Sequence, residues 1–420
     1  MGGDKPLKLD NAEYLKIRRV VVNGLLKVFL TCLTAVLLLL TSWYPSYAED
    51  IRVGVILPLT GRLSELGGET AYRSFQMAVD DINETGGVYG EKLEILFEDT
   101  AGNPDIGIKA VEKLISRDHV SILAGGISST VTWEATDVAQ DREVPFLVST
   151  ASADRITEAG RDYVFRLNTP VGEQQNALSS FLHGATSVKT VAILHEKTIS
   201  GELSAKKFRQ RCETWGLQVI MKEGFDTGTG DLITLLTTTK FRYPDLIYFI
   251  SQIQDAPLIM QKSREVGLNP KLFIGNPSAF IPDEFREQAG EDAEFIYSPT
   301  IWTPELPYPG ANEYFNRFYM KYETHPNYHG AQAYASIQVI ARALKEAKTL
   351  DPKDVKDALS KIDMMTVLGP VKFVSYGRKT QQNRLPTYLV QWLKNGLRTV
   401  WPKNVATDRY VYPIPPWDER

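Results

Sequence analysis

The feature that most constrains the fold is a repeated alternation of short apolar runs with longer amphipathic ones. A β-branched run at Ile51–Leu57 is followed by apolar residues at helical spacing over Tyr72–Ile82, and Lys92–Glu98 then fits a second strand. Further strands are predicted at Val120–Ala124 and Val144–Val148. A spacing of about 25 residues between such strands is typical of right-handed βαβ units around a parallel sheet. We therefore expect a doubly wound α/β fold.

The alternation starts again after Asn168-Thr169-Pro170, which predicts a second lobe of the same kind. Apolar runs that fit strands follow in order at Thr190–Leu194, Gln218–Lys222, Asp245–Ile250 and Leu272–Ile274. Two helical patterns and two late strands come after Pro299. Without its first 48 residues the chain has about 370, which is more than one hydrophobic core usually supports. We therefore expect two α/β lobes.

The breaks in this pattern set the expected boundaries. They fall near residues 168, 298, 370 and 400. The tail at 401–420 is rich in proline and aromatic residues and has no periodic pattern, so we expect it to be irregular. Residues 1–48 are set apart because they match an export signal.

Basic residues, a short apolar run and small residues follow one another near the start of the chain. The basic residues are Lys16, Arg18, Arg19 and Lys27. Val28–Thr41 then supplies mostly apolar positions, and Ser46-Tyr47-Ala48 matches a small-x-small cleavage site. The apolar run is shorter than the roughly 20 residues that a membrane span needs. We expect a cleavable signal peptide with cleavage near Ala48, and an uncleaved anchor helix is the alternative.

Charge and residue counts exclude several classes of function. Residues 1–48 hold six basic and three acidic side chains, so the rest of the chain has a net charge near −7 and no basic excess for nucleic acid. Cys212 is then the one cysteine left, which excludes an internal disulfide. The five histidines are not grouped with acids or thiols at metal-ligand spacing. We expect no metal, no cofactor and no nucleic-acid partner.

Two loops rich in small and hydroxyl residues follow neighbouring strands of lobe one. Gly125-Gly126 lets the backbone approach a ligand, and the amides and hydroxyls of the next helical turn present donors to an anion. Simple capping of that helix is the alternative, but two such loops side by side favour one wall of a polar pocket. The candidate ligand contacts are Ser128, Ser129, Thr130, Thr150, Ala151 and Ser152.

Equivalent positions exist in lobe two. Ser251 and Gln252 follow one predicted strand, and Asn276 follows the next, at the edge where parallel sheets bind ligands. Trp302 and Tyr328 are aromatic residues that either close over a ligand or simply pack. We add all five to the candidate binding residues.

The usual enzyme motifs are absent from the sequence. It contains no G-x-S-x-G elbow, no G-x-x-x-x-G-K-[ST] loop and no G-x-G-x-x-G after the first strand. Cys212 lies in an amphipathic helical pattern between charged neighbours, which indicates a structural thiol rather than a nucleophile. We expect no catalytic residues and no enzymatic activity.

Four segments match one known pattern when they are taken together. They are I-x-V-G-V-I-L-P-L-T-G at Ile51–Gly61, A-V-D-D-I-N-E-T-G-G-V at Ala78–Val88, the stretch Leu123–Thr130, and G-P-V-K-F at Gly369–Phe373. This combination resembles the leucine/isoleucine/valine-binding protein family, the substrate-binding subunits of ABC importers with the type I periplasmic-binding fold. The resemblance implies two α/β lobes joined by a hinge of three crossovers, with the ligand in the cleft. Lobe one then takes 49–168 plus 299–370, and lobe two takes 169–298 plus 371–400.

The resemblance also assigns roles to single residues. Ser129 falls where the family binds the ligand carboxylate, and Thr150–Ser152 falls on the next binding segment, with one residue fewer than the family. The acid that holds the ligand ammonium in branched-chain amino-acid binders falls near Asn276, which is not an acid. Leu66 and Ile199 replace aromatic residues of the pocket. The ligand is thus expected to be an amino acid with an unusual ammonium partner, or an organic acid such as an aromatic acid.

The resemblance implies a function in transport. We expect an extracytoplasmic or periplasmic monomer that captures a small carboxylate by hinge closure and delivers it to an ABC permease. The alternative is a ligand-sensing protein that partners a membrane receptor or kinase, because the same fold presents ligand-dependent surfaces.

Overall fold

The computed structural model describes residues 10, 15–16, 18–24, 27, 51–61, 63–228 and 232–420. The chain separates into two compact units, 1–49 and 50–420. In the first unit, residues 15–16 and 18–24 are helical and exposed. The apolar run of the expected signal peptide and its cleavage site near Ala48 lie outside the described residues. No helix in the described ranges combines the length and hydropathy of a membrane span.

Lobe one is built on the first sheet. In chain order its first elements are β1 Ile51–Leu57, α1 Glu69–Glu84, β2 Leu93–Asp99, α2 Pro104–Ser116, β3 Ile122–Gly125, α3 Ser129–Asp141, β4 Phe146–Val148, α4 Arg155–Glu158 and β5 Val164–Arg166. These strands are parallel and lie in the order β2-β1-β3-β4-β5. Six of the seven residues of β1 are buried, as expected for a strand covered on both faces.

Lobe two is built on the second sheet. Its continuous part contains α5 Asn176–Ala185, β6 Thr190–Glu196, α6 Ile199–Thr214, β7 Gln218–Phe225, α7 Leu232–Lys240, β8 Leu246–Ile250, α8 Ala256–Glu265, β9 Leu272–Gly275, α9 Pro277–Phe280, α10 Asp283–Ala289 and β10 Tyr297–Thr300. The strands run parallel in the order β7-β6-β8-β9-β10. Together the two parallel-dominated sheets confirm the expected α/β class.

The rest of the chain contributes to both lobes. It forms α11 Ala311–Tyr322, α12 Tyr328–Glu346, α13 Pro352–Leu359, β11 Asp363–Thr366, β12 Gly369–Tyr376, β13 Lys379–Asn383, β14 Tyr388–Leu393 and β15 Gly396–Trp401. The strands β11 to β13 extend the first sheet beyond β5, while β14 and β15 extend the second sheet beyond β10. Helix α12 is buried along most of its length in the core of lobe one.

Sheet membership differs from the sequence-based boundaries in two places. Residues 371–383 belong to lobe one, because β13 pairs in parallel with β5 through Gln382 and Arg166. Thr300 still belongs to lobe two, because it lies on β10 and pairs with Tyr388 of β14 in the second sheet. The chain therefore crosses between the sheets after residues 166, 300 and 383. A short polar strand such as β13 has no hydrophobic alternation that identifies its neighbour in the sheet, which explains the misplaced boundary at 371.

The tail at 402–420 forms only a short 3₁₀ turn and lies along lobe two. The Tyr297 hydroxyl donates to the Val411 carbonyl at 2.7 Å, and the Ile414 amide donates to the Lys271 carbonyl at 3.1 Å. The Trp417 indole donates to the Leu268 carbonyl at 2.8 Å. These contacts fix an otherwise irregular segment on the surface of lobe two.

Candidate functional site

The first loop of the site begins with two glycines that the backbone requires. Gly125 has φ +99° and Gly126 has φ +80°, a region that residues with a side chain rarely adopt. A Cβ on Gly125 would lie 2.3 Å from the carbonyl oxygen of Ile56 on the neighbouring strand. The turn therefore places the start of α3 close to the carboxyl edge of the first sheet.

Two serines at the start of α3 have different roles. The Ser128 hydroxyl accepts from the Val131 amide at 3.5 Å, which is the helix cap considered as the alternative. The Ser129 hydroxyl instead accepts from the Ala153 amide at 3.2 Å and so joins the first loop to the second. Thr130 is exposed. Because the first turn of a helix leaves its amides without intrahelical partners, this edge keeps donors for an anion.

The second loop is held by its backbone. The Ala151 amide donates to the Gly126 carbonyl at 2.9 Å, and the Ser152 carbonyl accepts from the Val171 amide at 2.8 Å. The side-chain amide of Asn168 donates to the Thr150 carbonyl. These bonds leave the hydroxyls of Thr150 and Ser152 as the polar groups that the loop can offer to a ligand. The structure thus brings the six lobe-one candidates together.

A buried arginine supports the second loop through a hydrogen bond to the main chain of Ala153. Arg166 is fully buried at the end of β5, and its guanidinium donates to the Ala153 carbonyl at 2.6 Å and to Gln382 Oε1 at 2.6 Å. A third bond reaches the Thr157 hydroxyl at 2.9 Å. Burial lowers the pKa of Arg166 to about 10, so the group is still charged at neutral pH. Sequence reasoning missed this residue, because a single arginine in an apolar run gives no sign of its partners.

The candidates of lobe two also lie together at strand ends. Asn276 Oδ1 accepts from the Ser251 amide at 2.9 Å, and Asn276 Nδ2 donates to the Ser251 carbonyl at 3.1 Å. The Gln252 side chain donates to Glu196 Oε1 at 2.7 Å. Asn276 therefore clamps the ends of β8 and β9, and Gln252 connects them to β6. Sequence reasoning missed Glu196, although a charged residue at the end of an apolar strand is a signal that can be read.

The two aromatic candidates have different surroundings. Trp302 is 5% exposed, packs near Tyr314, and donates from its indole nitrogen to the Val367 carbonyl at 2.9 Å. These contacts are those of a core residue, which was the alternative for Trp302. Tyr328 begins α12 and stacks on His329 with ring centroids 4.1 Å apart. At the two positions where the family carries aromatics, Leu66 and Ile199 are exposed.

The ring of His329 packs against Gly67, in the segment between β1 and α1. A Cβ on Gly67 would lie 2.7 Å from the His329 ring, and the buried Nδ1 atom of His329 has no hydrogen-bond partner among the described residues. Burial lowers the pKa of His329 to about 4. The ring is therefore neutral in the folded protein throughout the physiological range.

Acidification is expected to destabilise the fold through His329. The folded pKa lies below the ordinary value near 6.5, so the unfolded chain binds the proton more readily between about pH 6.5 and 4. The contribution to stability is complete above pH 6.5 and is lost as the pH falls through 4, by up to about 3 kcal/mol. Urea unfolding at several pH values measures it. His329→Gln should flatten this slope, and a variant whose slope equals that of the original protein would contradict the assignment.

The described residues contain neither a metal-binding cluster nor a reactive thiol. No group of three or more His, Cys, Asp or Glu side chains there is arranged to hold a metal ion. Burial raises the pKa of the Cys212 thiol to about 12, which leaves it protonated and unreactive at neutral pH. What the site can do is hold a polar ligand between hydroxyls, amides and helix ends.

Comparison with known proteins agrees with this arrangement. The periplasmic binding protein family model matches residues 50–397. A Leu/Ile/Val-binding protein homolog 7 from Brucella suis biovar 1 is 28% identical over 386 residues, which cover 87% of this chain and 95% of the relative. The alignment thus spans almost the whole length of the Brucella relative.

Solved structures show the same fold. A branched-chain amino acid transporter substrate-binding protein from Streptococcus pneumoniae, in complex with isoleucine, aligns with a TM-score of 0.68 at 24% identity, covering 84% of this chain and 100% of the other. An ABC transporter solute-binding protein from R. palustris, in complex with benzoate, aligns with a TM-score of 0.66 at 18% identity over 87% and 98%. These likenesses confirm the type I periplasmic-binding fold. With its two lobes, three crossings and paired strand-end loops, the chain belongs to the periplasmic binding protein family.

Proposed function

We propose that this protein is the substrate-binding subunit of an ABC importer of the branched-chain amino-acid type. The observation that carries the proposal is the bond between Ser129 and Ala153, which joins two hydroxyl-rich loops into one surface at the carboxyl edge of the first sheet. The Brucella relatives are called Leu/Ile/Val-binding proteins, and the solved neighbours hold isoleucine or benzoate. Both ligands are small carboxylates, so a carboxylate is the chemistry that this surface should bind.

The proposed mechanism is hinge closure. The ligand carboxylate docks on lobe one, at the start of α3 and at the hydroxyls of Thr150 and Ser152. Lobe two then closes over it about the three crossing segments, and the closed form is recognised by the membrane permease. Nothing in this cycle requires a covalent step, a metal or a cofactor. The solute-binding character of the family supports a protein without enzymatic activity.

The cellular setting follows from the same proposal. A binding protein for an importer works outside the cytoplasmic membrane, and the expected signal peptide with cleavage near Ala48 would place it there. We propose that it acts as a monomer with one permease partner, since one pair of lobes encloses one ligand.

Removing the Ser129 hydroxyl is expected to weaken ligand binding by about 10- to 100-fold, because a hydrogen bond to a charged group contributes about 1.5 to 3 kcal/mol. A thermal-shift screen of amino acids and organic acids first identifies a ligand. Calorimetry then compares the original protein with Ser129→Ala and with Ser360→Ala, an exposed serine of lobe one. If Ser129→Ala binds the identified ligand as tightly as the control does, this site is wrong.

A further inference from the structure

We propose that Arg211 of lobe two is a positioning residue, which couples the orientation of the two lobes to the second binding loop. It does so through the first crossing segment, residues 167–175, which joins β5 to α5. The inference rests on the proposed function and deepens it, because it names a side chain on which the closing movement depends. Arg211 is not among the candidate ligand contacts and acts through Val171.

The guanidinium of Arg211 is directed at the main chain of the first crossing segment. Arg211 lies in the last turn of α6 and is half-buried. Its Nη2 atom donates to the Val171 carbonyl at 2.6 Å, and its Nη1 atom donates to the Gly172 carbonyl at 3.2 Å. The guanidinium is a rigid planar fork, so two bonds to neighbouring carbonyls fix the segment in orientation as well as in distance.

The same segment is attached to the second binding loop on its other side. The Val171 amide donates to the Ser152 carbonyl at 2.8 Å. A Cβ on Gly172 would lie 3.3 Å from Oδ1 of Asp154, which closely follows that loop. Val171 therefore bonds to lobe one through its amide and to lobe two through its carbonyl. A rotation of lobe two has to carry Val171 with it or break one of these bonds.

A second bond attaches the segment to lobe one. The Tyr376 hydroxyl of β12 donates to Glu173 Oε1 at 2.8 Å, and the Arg384 guanidinium lies 4.4 Å from the centroid of the Tyr376 ring. Among the hydrogen bonds of the described residues, those from Arg211 are the ones that a side chain of lobe two makes to this segment. Loss of Arg211 would therefore leave the segment attached to lobe one by hydrogen bonds and to lobe two by the chain alone.

The restraint matters for binding because a ligand in the cleft contacts both lobes. The apparent affinity falls with the fraction of molecules whose lobes are oriented correctly before the ligand arrives. A fixed first crossing segment narrows the range of orientations, so less order has to be imposed on binding. Since Arg211 acts through Val171 and not on the ligand, its loss should weaken the binding of different ligands by one common factor.

The test measures lobe orientation and affinity on the same variants. Spin labels are attached at Glu112→Cys in lobe one and Glu287→Cys in lobe two, which are exposed positions, while the buried Cys212 thiol stays unlabelled. Arg211→Met should broaden the distribution of distances between the two labels in the protein without ligand. Calorimetry uses the two tightest binders from a screen of the common amino acids and benzoate. Both should bind about 2- to 30-fold more weakly, by the same factor.

Two further variants make the comparison specific. Arg209→Met is the matched control on the same helix, because the Arg209 side chain is 54% exposed and pairs with Glu213 at 3.2 Å. It should change neither the label distances nor the affinities. Arg211→Lys keeps the charge but loses the planar fork, so it should show both effects at a smaller size. It also replaces Arg211→Met in the test if that variant does not fold.

The outcomes separate this inference from the proposed function. If the Arg211 variant keeps the distance distribution or the affinities of Arg209→Met, the coupling is wrong and the proposed function stands. The coupling is equally wrong if the two compounds lose affinity by different factors, because Arg211 would then contact the ligand. Ser129→Ala should weaken binding without broadening the distribution. If no carboxylate of the screen binds the original protein, the proposed function fails and the coupling fails with it.

Discussion

Replacing Gly125 with alanine is expected to destabilise lobe one by about 2 to 6 kcal/mol, because backbone strain and overpacking each cost about 1 to 3 kcal/mol. The new Cβ would meet the Ile56 carbonyl at 2.3 Å, and this oxygen belongs to a strand that is paired on both sides. That strand cannot move without breaking the sheet. Since Gly125 begins the first loop of the candidate site, the same change should also abolish ligand binding. Urea unfolding and calorimetry measure the two effects.

Gly160→Ala is the matched control for this prediction. Gly160 also has a positive φ, +71°, but nothing lies within 4 Å of its added Cβ. Its substitution should cost only the conformational term of about 1 to 2 kcal/mol. The difference between the two variants therefore isolates the close approach to Ile56. Equal losses of stability would show that backbone conformation alone makes the loop need glycine.

Replacing Arg166 with methionine is expected to destabilise the protein by about 3 to 5 kcal/mol, because breaking a buried charged network leaves its partners unsatisfied. The change removes three bonds at once, to Ala153, Thr157 and Gln382. Gln382 lies on β13 and Ala153 follows the second loop, so the loss affects both the pairing of β13 with β5 and the candidate site. We expect a lower urea midpoint together with weaker ligand binding.

Arg378→Met provides the comparison for Arg166. The Arg378 side chain is 83% exposed and pairs with Glu158 at 3.0 Å, an arrangement whose contribution is about 0 to 1 kcal/mol. Its loss should barely change the urea midpoint or the affinity. If Arg166→Met behaves in the same way as Arg378→Met, the support of the second loop by Arg166 is not energetically important.

The parallel part of both sheets could be predicted from the sequence, because buried strands between amphipathic helices leave a strong period. The short strands β11, β13 and β15 could not, since four- to six-residue strands with polar faces look like loops. For this reason the boundary at 371 was wrong. The restart of the pattern after Pro170, by contrast, correctly predicted a second sheet.

The candidate site divides in the same way. Loop composition pointed to Ser129 and Ser251, because glycines and hydroxyls after strands are visible in the sequence. It did not reveal Arg166 or Glu196, whose importance depends on partners far away along the chain, such as Gln382. The sequence also left open whether Trp302 packs or binds, since an aromatic residue serves both purposes and only its surroundings distinguish them.

The order in which the two lobes can fold follows from the three crossings. Lobe two takes its five parallel strands from the continuous stretch 190–300, so that part of its sheet can form as soon as this stretch is available. Lobe one has to wait for α12 to fill its core and for β13 to cover β5, across a separation of 216 residues between Arg166 and Gln382. During synthesis or export, the strands β1 to β5 therefore stay incompletely covered for longest. They are the part of the chain on which a chaperone would act.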